Sequence, residues 1–197
     1  MFGPSEIQSF FRGYAAVLED EEVRAISRRY FIANGFDMTL TTLGVVLGAY
    51  LSGVGSGLTV VKVAFGAGVG LTTSAVWSVW EIERAEKRSE IRSLENAMLT
   101  DLSETRLRRR RRRGQVINAL ASGLGPVVGI TPALWYLFGL PILDATIASA
   151  VWALCVLFVF GVYMSRVSNH SWLISGIRMA LAGVVVAFIN LVLPGGG

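Results

Sequence analysis

Residues 36–53 read FDMTLTTLGVVLGAYLSG, an apolar run that carries a single ionisable side chain, Asp37, close to its start. A helix of this length can cross most of the roughly 30 Å of membrane hydrocarbon, because each residue adds about 1.5 Å. A carboxylate at the edge of hydrocarbon is costly, and residues of this kind usually serve a function. The stretch therefore predicts a membrane span whose acid contributes to what the protein does.

Four further apolar runs follow in the chain of 197 residues. Together with the first they predict spans at residues 30–51, 58–80, 116–138, 141–164 and 172–193. The chain is 53% hydrophobic and 16% charged, whereas about a quarter of the residues of a soluble domain are charged. This composition predicts an all-α, polytopic membrane protein with five transmembrane helices.

The charged residues divide the chain into four segments. We predict an N-terminal amphipathic segment at 1–29, helices 1 and 2 within 30–80, a charged helical segment at 81–115, and helices 3–5 within 116–197. The N-terminal segment has apolar residues at helical spacing, which favours a helix lying at the membrane interface or, alternatively, against a partner helix. Three Gly and two Pro within residues 123–132 predict a third span that is kinked or broken.

The basic residues indicate the orientation of the chain. Of the 18 Lys and Arg, all but Lys62 and Arg178 fall before the first span, between spans two and three, or between spans four and five. With five spans, these connections lie on one side of the membrane. Because basic connections stay in the cytosol, we predict a multi-pass protein with a cytoplasmic N-terminus and an external C-terminus.

Six consecutive arginines precede the third span and account for the net charge of +4 and the pI of about 9.6. They are Arg108, Arg109, Arg110, Arg111, Arg112 and Arg113. Such a run can bind anionic lipid headgroups, at about 1 kcal/mol per basic residue, or fix the topology of the span that follows. No aromatic residue is interleaved for base stacking, so we expect membrane lipid, and not nucleic acid, as a partner.

Asp37 has oxygen-bearing neighbours at helical spacing. Asn34 precedes it by three residues and Thr41 follows it by four, so the three share one helix face. Oxygen ligands of this kind can coordinate a divalent cation or hold a proton along a transport pathway. The alternative is an acid that only caps the start of the helix at the interface.

The charged segment carries a second set of candidate metal ligands. No Gly or Pro occurs between residues 71 and 113, so the second span should continue as a helix beyond its apolar part. Carboxylates with a thioether suit iron or manganese better than magnesium. The candidates are Glu81, Glu83, Glu86, Glu90 and Met98. The alternative is a solvated helix with ion pairs along its surface.

The sequence contains no nucleophile–base–acid set and no Cys/His cluster, so we predict no enzyme.

Residues 28–50, RRYFIANGFDMTLTTLGVVLGAY, resemble the first span of the vacuolar iron transporter family, and look closest to its short archaeal-type members. The stretches SGLGPVV at 122–128 and ISGIRMALAGVVV at 174–186 extend the resemblance. It implies a five-span transporter of divalent metals in which Asp37 lines the metal path. Glu81 matches the acid that ends the family's second span. The residues that correspond to metal-collecting ligands by type alone are Glu83, Glu86, Glu90 and Met98.

The function expected from the resemblance is export of iron or manganese from the cytosol, by exchange for protons. The metal ion is then the transported substrate, and no permanently bound cofactor is expected. A homodimer packed through the first spans would bring two copies of Asp37 together. The alternatives are a membrane scaffold that binds lipid or a partner through its basic segment, and a carrier of another small solute.

Overall fold

A computed structural model describes residues 19–98, 106–168 and 171–192 of the chain. Within these ranges the regular structure is helical, without a strand, and five helices are long and apolar enough to cross a membrane. The helices are α1 (Glu21–Leu51), α2 (Gly57–Met98), α3 (Arg106–Gly129), α4 (Ile142–Ser168) and α5 (Trp172–Val192), with a 3₁₀ segment (Thr131–Phe138) after α3. The predicted all-α fold with five membrane-length helices is confirmed.

Helix α1 begins about nine residues before the predicted span. Asp20 is its N-cap, and the side chain of Asp20 accepts a hydrogen bond of 3.2 Å from the backbone N–H of Glu22. The acids Glu21 and Glu22 in the first turn favour a start at this point, because the N-terminus of a helix carries partial positive charge. Residues 21–29 are therefore the first turns of the spanning helix, and residues 1–18 lie outside the described part of the chain.

Helix α2 is continuous past the end of its apolar part, as the sequence predicts. Its 42 residues extend for about 63 Å at 1.5 Å per residue, roughly twice the thickness of the hydrocarbon layer. The second half of α2 therefore projects beyond the membrane and carries the acidic residues with it. This extension brings those acids to the same end of the bundle as the starts of α1 and α3.

The third span is broken, which confirms the prediction from its Gly and Pro content. Helix α3 ends at Gly129, and the 3₁₀ segment begins with Pro132 in its first turn. The segment is held against α4, since the hydroxyls of Tyr136 and Thr146 lie 2.7 Å apart and the Trp152 indole donates to Thr131 at 3.0 Å. The break is thus stabilised by contacts within the bundle.

Helix α1 lies at the centre of the bundle. It contacts every other helix and packs most extensively against α3. The two backbones touch where glycines face each other: a Cβ on Gly125 would lie 2.7 Å from the Gly35 nitrogen, and one on Gly129 would lie 2.7 Å from the Gly35 oxygen. This close crossing places the polar side chains of the two helices within hydrogen-bonding distance.

Candidate functional site

Three buried polar side chains occupy one face of α3. Gln115, Asn118 and Ser122 are spaced by three and four residues, so they form a stripe along the helix. Two of them bind the backbone of α2: Gln115 donates to the Trp80 carbonyl and Ser122 to the Ala75 carbonyl, each at 2.9 Å. The α3 stripe therefore fixes α3 against α2 close to the end of the apolar part of α2.

A matching polar stripe runs along α1. Its members follow one another at spacings of three or four residues and are Ser27, Tyr30, Asn34, Asp37 and Thr41. The Ser27 hydroxyl donates to Asn118 Oδ1 at 2.6 Å, and the Asn34 amide donates to Ser122 Oγ at 3.1 Å. The α1 stripe and the α3 stripe therefore meet along the glycine crossing.

Glu83, on α2, lies next to the polar side chains where the α1 stripe and the α3 stripe meet. The residue is only 1% exposed, and its Oε2 atom has no hydrogen-bond partner among the described residues. Because Asn118 Oδ1 already accepts from Ser27, the nitrogen of the same amide is free to donate to Glu83, and Tyr30 is a second donor. A buried carboxylate is stabilised only when it is paired. The unpartnered oxygen is therefore suited to a proton or a cation.

The electrostatics of Glu83 follow from this position, beyond the apolar residues 58–80. Burial raises the pKa of its carboxyl, and the charge of Glu86 adds to that increase, whereas hydrogen bonds from Asn118 and Tyr30 and the charge of Lys87 lower the pKa in part. A carboxyl with a raised pKa releases its proton less readily than an exposed one. A cation that binds there would displace that proton.

Asp37 lies two turns further along α1 and is exposed at the surface of the single chain. Thr41 donates to the backbone carbonyl of Asp37 at 2.8 Å, and the Asn34 amide donates to Ser122 and to the Tyr30 carbonyl. The three predicted pathway residues therefore share a helix face, but no hydrogen bond among the described residues joins the Asp37 carboxylate to Asn34 or Thr41.

The other acids predicted as metal ligands on α2 are exposed, unlike Glu83. Glu81 pairs with Arg84 at 3.4 Å. Glu90 pairs with Arg111 and, at 3.8 Å, with Lys87. Glu86 is exposed, and the side chain of Met98, at the end of α2, lies outside the described part. No three His, Cys, Asp or Glu side chains of the described ranges are close enough together to hold a metal ion. The acidic row thus comprises one buried carboxylate and a set of exposed ones.

The arginine run joins the charged ends of three helices. Arg110 pairs with Asp20 at 2.8 Å, and Arg111 pairs with Glu90, so α3 is tied to the start of α1 and to the projecting half of α2. Arg112 and Arg113 continue the run, and the side chains of Arg108 and Arg109 lie outside the described part. At least two of the six arginines therefore bind acids of the same chain.

Sequence reasoning missed most of the polar network around Glu83. The residues it did not single out are Ser27, Tyr30, Gln115, Asn118 and Ser122. Their spacing of three and four residues was the available signal, since it marks one polar face on each of two otherwise apolar helices. Which faces meet depends on the crossing of α1 and α3, and periodicity alone does not define that crossing.

The comparison with known proteins agrees with this architecture. A profile of the VIT family matches residues 69–193, more than half of the chain. The uncharacterized protein MJ0645 of Methanocaldococcus jannaschii is 25% identical over 164 residues, which cover 82% of this chain and 85% of that protein. No solved structure gives a significant match. The chain belongs to the VIT family, a family of membrane transporters of metal ions.

Proposed function

We propose that the protein exports a divalent cation, Fe²⁺ or Mn²⁺, from the cytosol in exchange for protons. The observation that carries the proposal is Glu83, a carboxylate buried where α1, α2 and α3 meet, with one oxygen unpartnered in the described structure. A buried charged group is costly unless it is paired or coordinates a cation. Glu83 is therefore the first internal ligand of the proposed path.

In this proposal the cation moves from Glu83 along the α1 stripe to Asp37. Tyr30, a donor to Glu83, precedes Asp37 by seven residues, which is about two helical turns or 10 Å along α1. Asn34 lies between them on the same face. An ion that leaves Glu83 therefore meets oxygen ligands suited to hard divalent cations before it reaches Asp37. Glu81, Glu86 and Glu90 would collect the ion from solution.

A second copy of the chain completes the proposed path at Asp37. A carboxylate that faces lipid costs about 2.5–3.5 kcal/mol near the centre of a membrane helix, and Asp37 is exposed on the surface of one protomer. A homodimer packed through α1 would remove Asp37 from lipid and supply a second carboxylate. Two facing carboxylates form a better divalent site than one.

The test is uptake of Fe²⁺ and Mn²⁺ by liposomes that contain the purified protein. We expect Glu83→Gln to reduce uptake by about tenfold or more, because replacement of even the outer partners of a metal site costs about 10–100-fold. Glu21→Gln is the matched control, because Glu21 is an exposed acid at the same charged end of the bundle, in the first turn of α1, and has no place in the proposed path. It should retain most of the uptake.

Three outcomes decide between the proposals. Equal uptake by wild type and Glu83→Gln would remove Glu83 from the path. Equal uptake by wild type and Asp37→Asn would remove Asp37. A wild-type protein that moves neither metal, and that binds no divalent ion near micromolar concentration, would favour a membrane scaffold or a carrier of another solute.

A further inference from the structure

A cleft of about 370 Å³ lies between α2 and α3 at the charged end of the bundle. Its volume is within the range of about 300–1,000 Å³ that is usual for small-ligand sites. Five of its lining side chains are cationic and none of the described lining residues is acidic; the cations are Arg84, Lys87, Arg88, Arg111 and Arg112. The lining therefore favours an anion.

Three of the five cations already have carboxylate partners. The pairs are Arg84–Glu81 at 3.4 Å, Lys87–Glu22 at 3.7 Å and Arg111–Glu90. Arg88 on α2 and Arg112 on α3 make no ion pair with any residue in the described ranges. Each wall of the cleft thus contributes one guanidinium that has no carboxylate partner in the described ranges. A phosphate between them would be bound by charge-assisted hydrogen bonds, for which Arg is well suited.

The position of the cleft relative to the membrane surface indicates where the phosphate comes from. Trp80 lines the cleft and is the last residue of the apolar part of α2. Tryptophan is enriched at the membrane–water interface, and the hydrogen bond from Gln115 to the Trp80 carbonyl fixes α3 at the same height. The cleft therefore opens where the headgroups of phospholipids lie, and basic pockets between membrane helices at this level bind anionic headgroups.

We propose that this cleft binds the phosphodiester of an anionic phospholipid. Arg88 and Arg112 hold the phosphate, while Trp80, the lining residue at the end of the apolar part of α2, contacts the glycerol and the start of an acyl chain. Inorganic phosphate shares the charge of the headgroup but lacks this apolar portion. The site is independent of Glu83 and does not require that the protein transports a metal.

The experiment measures lipid binding to the full-length protein, purified in neutral detergent, by native mass spectrometry. Wild type is expected to bind phosphatidylglycerol more tightly than phosphatidylcholine. The double substitution Arg88→Gln with Arg112→Gln should weaken phosphatidylglycerol binding by about 30-fold, the equivalent of about 1 kcal/mol for each arginine. Arg112→Gln alone should weaken it by about fivefold, which keeps the test valid if the double variant does not fold.

Arg92→Gln is the matched control, because Arg92 is exposed on α2 outside the cleft and the substitution removes the same charge. It should leave the preference for phosphatidylglycerol unchanged. An equal loss in Arg92→Gln would show attraction to the general surface charge and overturn the proposal. Equal binding of the two lipids by wild type would do the same. Inorganic phosphate that displaces the lipid at matched concentration would make the cleft a phosphate site instead of a lipid site.

Discussion

The hydrogen bond between Ser27 and Asn118 determines which atom of Asn118 can bind Glu83. Ser27 donates to Asn118 Oδ1 at 2.6 Å, and this bond orients the amide so that its nitrogen remains for Glu83. Residue type and spacing do not distinguish Glu83 from its exposed neighbours on α2. Burial by α1 and α3 makes the difference.

Glu83→Gln should change the dependence of stability on pH. A raised pKa means that the charged carboxylate is less favourable in the folded state, so the wild type loses stability as the pH rises from the ordinary value of 4.5 through the raised pKa. The variant lacks this loss. It should therefore be more stable than wild type at pH values above the raised pKa, and no more stable than wild type below pH 4.5. Thermal unfolding in detergent across this pH range tests the prediction, and a stability difference that is the same at all pH values would contradict it.

Asn118→Ala should destabilise the protein by about 1–3 kcal/mol, because it removes the acceptor of the Ser27 hydroxyl and one of the two donors to the buried Glu83 carboxylate. Asn96→Ala is the control, since Asn96 is exposed on α2. Its effect should stay within about 0.5 kcal/mol. Calorimetry of the two variants in the same detergent compares them, and similar losses would argue against the buried network.

At the scale of the elements, the two unusual helices could be predicted and their packing could not. The lack of Gly and Pro after residue 71 predicted the long α2, and the Gly and Pro content of 123–132 predicted the break that ends α3 at Gly129. Those features are local to one segment. The crossing of α1 and α3 depends on Gly35 and Gly125, 90 positions apart, which only tertiary packing brings together.

Gly125→Ala should weaken this crossing. The new Cβ would lie 2.7 Å from the Gly35 nitrogen, and a backbone atom cannot move aside as a flexible side chain can. We expect a net loss of about 1–3 kcal/mol, since the gain of about 0.5–1 kcal/mol from removing a helical glycine is smaller. Gly66→Ala is the control, because nothing lies within 4 Å of a Cβ there. It should be neutral or stabilising in the same unfolding assay, and an equal loss at both positions would contradict the role of the crossing.

At the scale of the whole molecule, the charged ends of α1, α2 and α3 lie together, as the ion pairs Lys87–Glu22 and Arg110–Asp20 show. The sequence predicted this arrangement from charge alone, since basic connections are expected on one side. The expected homodimer packed through the first spans requires Asp37 at the surface of the protomer, and Asp37 is exposed there. This exposure supports the proposed homodimer, which was first expected from the sequence.

The proposed dimer predicts a cross-link through α1. Ala33 is exposed one turn before Asp37, so Ala33→Cys in a Cys155→Ser background should cross-link in native membranes with a short bifunctional maleimide. Val159→Cys is the control, because Val159 is 62% exposed on α4. It should remain monomeric on a denaturing gel. Cross-linking at Val159→Cys without any at Ala33→Cys would place the interface elsewhere.

The pairing of α1 with α3 also has a consequence for biosynthesis. Ser27 and Asn118 are 91 positions apart, and chains are elongated at about 5–20 residues per second. The first helix therefore waits on the order of 5–20 s after its own synthesis before the residue that binds it has been made. During that time the side chains of Ser27 and Asn34 lack their partners on α3, so water, lipid headgroups or the insertion machinery must supply their hydrogen bonds.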